Sequence, residues 1–297
     1  MRVATHDGSF HADEAFAVGA LSLLGEPVEI ARTRDEAELA AADVRVDVGF
    51  RDDPATGDFD HHQRGGAGGR PNGIRYASFG LVWRRHGTQL CDGDADVAAR
   101  VDQALVQGVD ANDTGQTLAT PLVDGVRPMT VSGVIGALNP NWDEELSRDE
   151  EDGRFAAAVE LAAGITRREI ASAAAQQRAV RIVADAIGRA RDPRVIELDR
   201  NVPWKEVVVT TAPSAQLVIL PKRAGWGVEA VPRELGSFDN RLSLPEAWAG
   251  LGGEALADVT GVEDAVFCHV KRFLAVARTR EGVARLAEQA LREAGES

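Results

Sequence analysis

Short apolar runs alternate with segments of helical spacing at the start of the chain. The runs cover residues 2–5, 28–31 and 44–48, and residues 13–24 carry apolar side chains at helical spacing before Gly25 ends the pattern. Parallel strands need a crossover connection, which is usually a helix, so this alternation is typical of a parallel β-sheet. We therefore predict an α/β fold for the first half of the chain.

The remainder of the first half contains a glycine-rich segment and several predicted helices. Residues 65–73 include too many glycines for a helix or strand and predict a mobile loop. Helices are predicted at residues 79–86, 96–107 and 131–138. The second of these should stop near Gly108, which would place Asp110 in a turn.

The second half predicts a long helix followed by a new set of strands. Residues 149–190 are rich in Ala, Glu, Arg and Ile and lack proline, which indicates one long helix or two joined near Gly164. Strands are predicted at residues 194–198, 207–211, 217–220, 228–231, 265–268 and 273–277, and a final helix at residues 280–294. This pattern indicates a smaller mixed α/β domain.

The length of the chain favours more than one domain. At 297 residues it exceeds the size at which a single core usually stops growing. We predict an N-terminal domain at residues 1–148, a connecting helix at residues 149–190 and a C-terminal substrate-binding domain at residues 191–297.

Composition restricts the partners and the compartment. A formal charge of -14 and a pI near 4.9 argue against duplex DNA, which normally needs a basic protein face. The two cysteines, Cys91 and Cys268, lie far apart and form neither a disulfide framework nor a zinc motif. No apolar run approaches the length of a membrane span, and the first residues lack the core of a signal peptide. We expect a soluble cytoplasmic protein that has no membrane partner.

Histidines and carboxylates stand at the predicted ends of strands and starts of helices. His6 follows the first strand and Asp13 begins the first helix, the positions where ligands bind in open α/β sheets. The other members of the set are His11, Asp47, Asp60, His61, His62 and Asp110. Mixed nitrogen and oxygen ligands of this kind suit a pair of divalent ions such as manganese.

One assignment of these residues is a hypothesis about two ions. His6 and His11 could bind one ion, and Asp13 and His61 the other, with Asp47 or a water between them. Asp60 could orient an imidazole as an outer-shell carboxylate. His62 would then face the substrate instead of a metal.

Each residue alone also has an ordinary structural explanation. Asp13 could complement the dipole of its helix, Asp47 could end a strand, and Asp110 could make a turn. The pair of adjacent histidines could lie in a surface loop, and His86 is interpreted as a surface histidine outside the site. The joint placement of the other residues favours a metal site.

Several motifs resemble those of a known family. They are THDGSFHADE (residues 5–14), RTRD (32–35), VDVG (46–49), FDHHQR (59–64), WGVEAVP (226–232) and RLSLPEAW (241–248). Together they resemble the melanocyte-proliferating-gene-one family, a branch of the DHH phosphoesterase superfamily. The resemblance covers nearly the whole chain.

The resemblance implies a two-domain α/β hydrolase with a parallel-sheet, DHH-type N-terminal domain, an active site in the cleft, and two manganese-type ions. The implied metal ligands are His6, His11, Asp13, Asp47, His61 and Asp110. His62 and Arg64 would contact the scissile phosphate. Eukaryotic relatives are described as 3′ to 5′ RNA exonucleases, and the superfamily also includes phosphodiesterases of short oligonucleotides and cyclic dinucleotides.

One segment departs from the family pattern. Where relatives commonly have a histidine followed by a glycine-bearing stretch, this chain has HVKRFLAVAR at residues 269–278. Side chains at those positions obstruct the close approach of backbone N–H groups to a phosphate. The substrate could instead be bound by His269, Lys271, Arg272 and Arg278. The alternative is that these basic residues form a solvated face.

The predicted function is a manganese-dependent phosphodiesterase, a 3′ to 5′ exonuclease acting on short single-stranded RNA or on a small phosphodiester. Two alternatives remain open. The chain could hydrolyse a small phosphate ester or phosphoanhydride, or it could bind metal and nucleotide without catalysis. The oligomeric state is left undetermined by the sequence.

Overall fold

The computed structural model describes residues 1–295 and contains two five-stranded sheets, one in each of two units, Met1–Ala175 and Gln176–Ser297. Both sheets combine parallel and antiparallel pairs and carry helices. The predicted α/β fold class is confirmed. The three-part division into residues 1–148, 149–190 and 191–297 stays a prediction.

The sheet of the first unit is parallel except at one edge. Its strands are β1 (Arg2–Thr5), β2 (Glu29–Arg32), β3 (Val44–Val46), β4 (Asp52–Asp53) and β5 (Asp58–Phe59). The order is β2-β1-β3-β5-β4, and only β4 pairs antiparallel. The first three strands lie where the sequence predicts them. The short strands β4 and β5 are not predicted, because two residues are too few to show an alternating pattern.

Helices cover the first sheet. They are α1 (Ala12–Ser22), α2 (Glu36–Ala40), α3 (Ser78–Leu90), α4 (Ala95–Val101), α5 (Gln107–Asp113), α6 (Val131–Gly136) and the first part of α7 (Arg148–Arg189). Almost all of α1 is buried, and it contacts both α3 and α6. A Cβ atom on Gly19 of α1 would lie 2.9 Å from the backbone nitrogen of Ala163 in α7. Glycine there allows the two helices to pack closely.

The prediction that the chain turns at Asp110 is wrong. A π-helical segment, Asp102–Val106, joins α4 to α5, and the helix continues through Gly108 to Asp113. The carboxylate of Asp110 is buried and accepts hydrogen bonds from Arg70 and from the backbone of Gly80. These tertiary contacts outweigh the weak local tendency of glycine to end a helix.

Helix α7 is a single helix of 42 residues that runs through Gly164 without a break. Its residues up to Ala175 belong to the first unit, and those from Gln176 belong to the second. No helix within residues 1–295 combines the length and the apolar character that crossing a bilayer requires.

The sheet of the second unit is mostly antiparallel. Its strands are β6 (Val195–Glu197), β7 (Leu217–Lys222), β8 (Gly225–Ala230), β9 (Ala265–Cys268) and β10 (Leu274–Ala277), and its further helices are α8 (Lys205–Thr211), α9 (Gly253–Thr260) and α10 (Arg280–Gly295). The strand order is β6-β7-β8-β10-β9, with a single parallel pair between β6 and β7. A short 3-10 turn covers Glu246–Trp248.

The strand predicted at residues 207–211 is wrong, because this segment forms α8. Its run of valines and threonines matches a buried strand, but short β-branched runs do not distinguish a strand from a buried helix turn. Val207 and Val208 pack into a core cluster that includes Val183 of α7. The hydroxyl of Thr211 donates to the backbone oxygen of Val207 at 2.8 Å, as threonine does inside a helix.

Candidate metal centre

The candidate site lies at the carboxyl edge of the first sheet. His6 follows β1, Asp47 follows β3, and Asp60 begins the segment after β5. These three strands are neighbours and run parallel, so their ends meet at one edge. His11 and Asp13, at the start of α1, complete the arrangement.

Histidine nitrogens and carboxylate oxygens gather there in three groups. The groups are His6, His11, Glu14 and Asp47; Asp47, His61 and His62; and His11, Asp13 and Asp113. Within each group the ligand atoms lie within 4.8 Å of one another. Asp47 and His11 each belong to two groups. The groups therefore form a connected set that can hold metal ions.

Asp47 lies at the centre of this set. Its Oδ2 is 3.3 Å from His6 Nε2, and its Oδ1 is 3.3 Å from His61 Nε2 and accepts a hydrogen bond from Ser78 Oγ at 3.0 Å. Its φ of 56° lies in the left-handed region, which is uncommon for residues other than glycine. Strain of this kind clusters at functional sites. The position of the Asp47 carboxylate is thus tightly constrained.

The charges of the site depend strongly on one another. Burial opposes protonation of His6 and His61, but the neighbouring carboxylates outweigh it and raise the pKa of each imidazole to about 10. Burial, together with repulsion from Asp47 and Glu14, raises the pKa of Asp13 well above its usual range. Protons thus neutralise the crowded carboxylates when no cation is bound. A divalent cation would take over that task.

Three buried polar atoms in the set lack a hydrogen bond. They are Asp13 Oδ1, Glu14 Oε2 and His61 Nε2. His61 Nε2 lies 3.0 Å from Asp113 Oδ2, yet the two atoms do not have the geometry of a hydrogen bond. Buried polar atoms without partners are rare in proteins and call for an explanation such as a bound ion. Imidazole nitrogen with carboxylate oxygen is a donor set that fits a divalent metal.

The N-terminus of α3 positions two of the carboxylates. The backbone nitrogen of Ser78 donates to Asp13 Oδ2 at 3.2 Å, and that of Gly80 donates to Asp110 Oδ1 at 2.9 Å. Free N–H groups at a helix start bind anions favourably. A Cβ atom on Gly80 would lie 2.8 Å from Asp110 Cγ, so only glycine permits this approach.

Asp110 is not in contact with the other predicted ligands in the part of the chain that the structure describes. Its Oδ2 accepts a hydrogen bond at 2.8 Å from Arg70, whose guanidinium also binds Asp102. Asp113, one turn further along α5, belongs to the third group. Sequence reasoning missed Asp113 and Glu14. Asp113 stands three residues after Asp110, so the sequence offers it as a second candidate carboxylate but gives no signal for choosing between the two.

Asp60 orients His62, the second of the two adjacent histidines. Its Oδ1 accepts a hydrogen bond from the backbone of His62 at 3.0 Å and lies 2.9 Å from His62 Nδ1. Hydrogen bonds to Asp47 and Asp60 raise the pKa of His62 to about 9, although burial opposes the rise. His62 is half-exposed and lines a cavity of about 970 Å³ that also contains His6 and Asp47. Arg64 is exposed at the start of the glycine-rich loop.

That loop, residues 65–73, has neither helix nor strand, as predicted. The contacts by which Arg70 holds the loop in place were not predicted. Arg70 is buried, and its guanidinium lies 4.3 Å from the centre of the Tyr76 ring while binding Asp102 and Asp110.

Comparison with known proteins identifies the family. The sequence matches the model of the MYG1 exonuclease family, described as "Uncharacterised protein family (UPF0160)", over residues 2–291. The chain belongs to the MYG1 exonuclease family. It is 34% identical to the bovine (Bos taurus) protein named MYG1 exonuclease over 98% of this chain and 84% of that one, and 32% identical to the human (Homo sapiens) protein of the same name over 98% and 85%. The resemblance stated from the motifs is confirmed.

A solved structure also aligns with this MYG1-family chain. The pGpG-specific phosphodiesterase PggH from Vibrio cholerae covers 98% of both chains, with 12% sequence identity and a TM-score of 0.33. A likeness of this size supports no conclusion about function.

The basic residues predicted to bind substrate in the second unit of this MYG1-family chain do not form one cluster. His269, Lys271 and Arg272 lie in the turn between β9 and β10, whereas Arg278 follows the far end of β10. Arg272 and Arg278 therefore lie beyond opposite ends of β10. β10 pairs on both sides, so its backbone groups are used within the sheet. The role of these four residues stays a prediction.

Proposed function

We propose that this chain is a metal-dependent phosphodiesterase of the DHH type that acts as a 3′ to 5′ exonuclease on short single-stranded RNA or on a small phosphodiester. The observation that carries the proposal is the connected set of ligand groups, in which Asp47 and His11 are each shared by two groups. Shared ligands are what a pair of ions about 3.5 to 4 Å apart needs. The exonuclease names of the bovine and human relatives support the same chemistry.

The ligand set that we propose differs from the sequence-based set at one position. His6, His11, Asp13, Asp47 and His61 keep their predicted roles. Asp113 takes the place of Asp110, because Asp110 is already engaged by Arg70 and Gly80 and Asp113 lies 3.0 Å from His61. Two ions of the manganese type would lower the pKa of a bound water and neutralise charge that develops on the phosphoryl oxygens.

Residues of the chain itself would orient the scissile phosphate. Asp60 holds His62 through two contacts, so the remaining ring nitrogen is available to a phosphoryl oxygen. The contact with the Asp60 carboxylate favours the protonated form of the His62 imidazole, and a protonated imidazole can donate a hydrogen bond to an anion. Arg64 would supply a second positive charge from the start of the loop.

The size and charge of the molecule favour a short substrate. A cavity of about 970 Å³ falls in the range that encloses small ligands and is far smaller than a duplex requires. The net charge of -14 argues against double-stranded nucleic acid, which normally needs a basic protein surface. The cytoplasmic location that we propose suits two buried cysteines that are both unpaired.

Hydrolysis of an end-labelled RNA oligomer in the presence of manganese tests the proposal. We expect a metal-dependent ladder that a chelator abolishes and that His61→Ala loses. His86→Ala is the matched control, since His86 lies on α3 outside the three groups and contacts Phe59. Activity only on small phosphate esters would favour the first alternative. Manganese binding without hydrolysis of any ester would refute an enzymatic role.

A further inference from the structure

Phe50 has an unusual combination of exposure and backbone conformation. Its side chain is 72% exposed, and its φ of 56° lies in the left-handed region. A bulky residue at such an angle is an outlier that stores strain. Its backbone nitrogen donates to Asp60 Oδ2 at 2.6 Å, which links the turn to the carboxylate that orients His62.

The fold alone does not account for a phenylalanine at this position. Glycine would adopt the same φ without strain and would keep the hydrogen bond to Asp60, because the donor is a backbone N–H. The exposed ring gains little packing in return for the strain. Single exposed apolar residues are common on proteins, but few of them occupy a strained backbone position. The ring therefore points to a role outside the packing of the chain itself.

Phe50 lines the same cavity as the candidate metal centre. The lining of this cavity includes His6, Asp47 and His62 as well as Phe50 and the half-buried Leu39. The cavity therefore offers both metal ligands and apolar, aromatic surface. A nucleotide combines the matching chemistry, because it carries both an anionic phosphate and a flat base.

Two arginines lie along this cavity. Arg34 forms an ion pair with Asp7, and Arg51 forms one with Asp53 at 2.5 Å. Both side chains are more than half exposed and line the cavity, so they can also contact a ligand there. They add positive charge to the lining of the cavity, which would favour the phosphate of a nucleotide.

We infer that Phe50 is a base-stacking residue of the substrate subsite, on which the base of the nucleotide whose phosphate lies at the metal centre is stacked. This inference rests on the proposed function. Aromatic stacking accepts every base, because each has a π face. The subsite therefore selects a nucleotide over a sugar phosphate without selecting a sequence.

Binding of two product analogues tests the inference directly. Adenosine 5′-monophosphate and ribose 5-phosphate carry the same phosphate, but only the first has a base. Calorimetric titration in the presence of manganese should show tighter binding of the nucleotide to the wild type. Phe50→Ala and Phe50→Leu should weaken nucleotide binding on the order of 10- to 100-fold and leave ribose 5-phosphate binding unchanged. Phe50→Tyr should keep the wild-type affinity for the nucleotide.

Trp142→Ala is the matched control, because Trp142 is 96% exposed and does not line the cavity. Equal nucleotide affinity of Phe50→Ala and Trp142→Ala would overturn the inference, as would equal affinity of the wild type for the two analogues. RNA hydrolysis by the wild type separates the two proposals. Hydrolysis together with unchanged nucleotide binding in Phe50→Ala refutes the stacking role alone, whereas no hydrolysis of any phosphodiester refutes the proposed function and this inference with it.

Discussion

Exchanging the carboxylates of Asp110 and Asp113 for amides should have opposite consequences. The two residues lie one turn apart on α5, yet Asp110 is bound by Arg70 and Gly80 and Asp113 faces His61. We expect Asp113→Asn to weaken metal binding and to leave the fold intact. Asp110→Asn should destabilise the fold and change metal binding little.

The magnitudes follow from the contacts of each carboxylate. Breaking a buried ion pair costs about 3–5 kcal/mol. Arg70 keeps its bonds to Asp102, and an amide oxygen at position 110 can still accept from Gly80, so we expect about 2–3 kcal/mol for Asp110→Asn. That loss corresponds to a drop in Tm of roughly 4–10 °C. Burial raises the pKa of Asp110 to about 7 despite Arg70, so the wild type should lose stability as the pH rises toward 7, and the stability difference between the wild type and Asp110→Asn should shrink over that range.

Asp113→Asn removes a charged ligand instead. Loss of groups that only support metal ligands weakens binding by roughly 10- to 100-fold, so loss of a direct ligand should cost at least that much for one ion. Asp113 is half-buried and makes no contact with Arg70, which is why little stability should be lost.

Two measurements on the same preparations decide the matter. Manganese titration followed by electron paramagnetic resonance gives the number and affinity of bound ions, and thermal unfolding without metal gives Tm. Reduced manganese affinity in Asp110→Asn with an unchanged Tm would refute this reasoning and restore Asp110 as a ligand.

Three further predictions concern packing, protons and catalysis. Gly80→Ala should lower the free energy of unfolding by about 1–3 kcal/mol, because the new Cβ would overlap the carboxylate of Asp110. An unchanged midpoint of urea unfolding would show instead that α3 can move away from Asp110. Manganese binding near pH 7 should release protons, because the pKa values of His6 and His61 are raised to about 10. The affinity for manganese should therefore rise with pH. A binding heat that does not depend on the ionisation enthalpy of the buffer would contradict this prediction. Asp60→Asn should reduce kcat on a dinucleotide by about 10-fold or more at unchanged manganese affinity, because the Asp60 carboxylate orients the imidazole of His62. Equal kcat values for the variant and the wild type would show that this orientation is unimportant.

The parallel part of the first sheet could be predicted because its signals are local. Strands β1 to β3 are short segments rich in apolar residues, and α1 ends near Gly25 as its spacing indicates. Residues 207–211 show the limit of this reasoning, because the same valine-rich run is a helix once it packs against Val183. Tertiary packing decides whether such a short segment forms a strand or a helix, and a local sequence pattern carries no information about that packing.

The residues of the candidate site were likewise predicted only in part. His6, His11, Asp13, Asp47 and His61 stand at predicted element ends, and the structure brings them together. A choice between the two aspartates of α5 could not be made from spacing, since it depends on which of them a distant arginine engages. The strained turn at residue 50 has no sequence signal either, because phenylalanine is not a residue that predicts a positive φ.

The most direct test of the metal centre is a crystal structure of the protein grown with manganese, with anomalous diffraction recorded at the manganese edge. The account predicts two anomalous peaks about 3.5 to 4 Å apart, both in contact with Asp47 or His11. A single peak elsewhere in the chain, or no peak at these residues under saturating manganese, would contradict it.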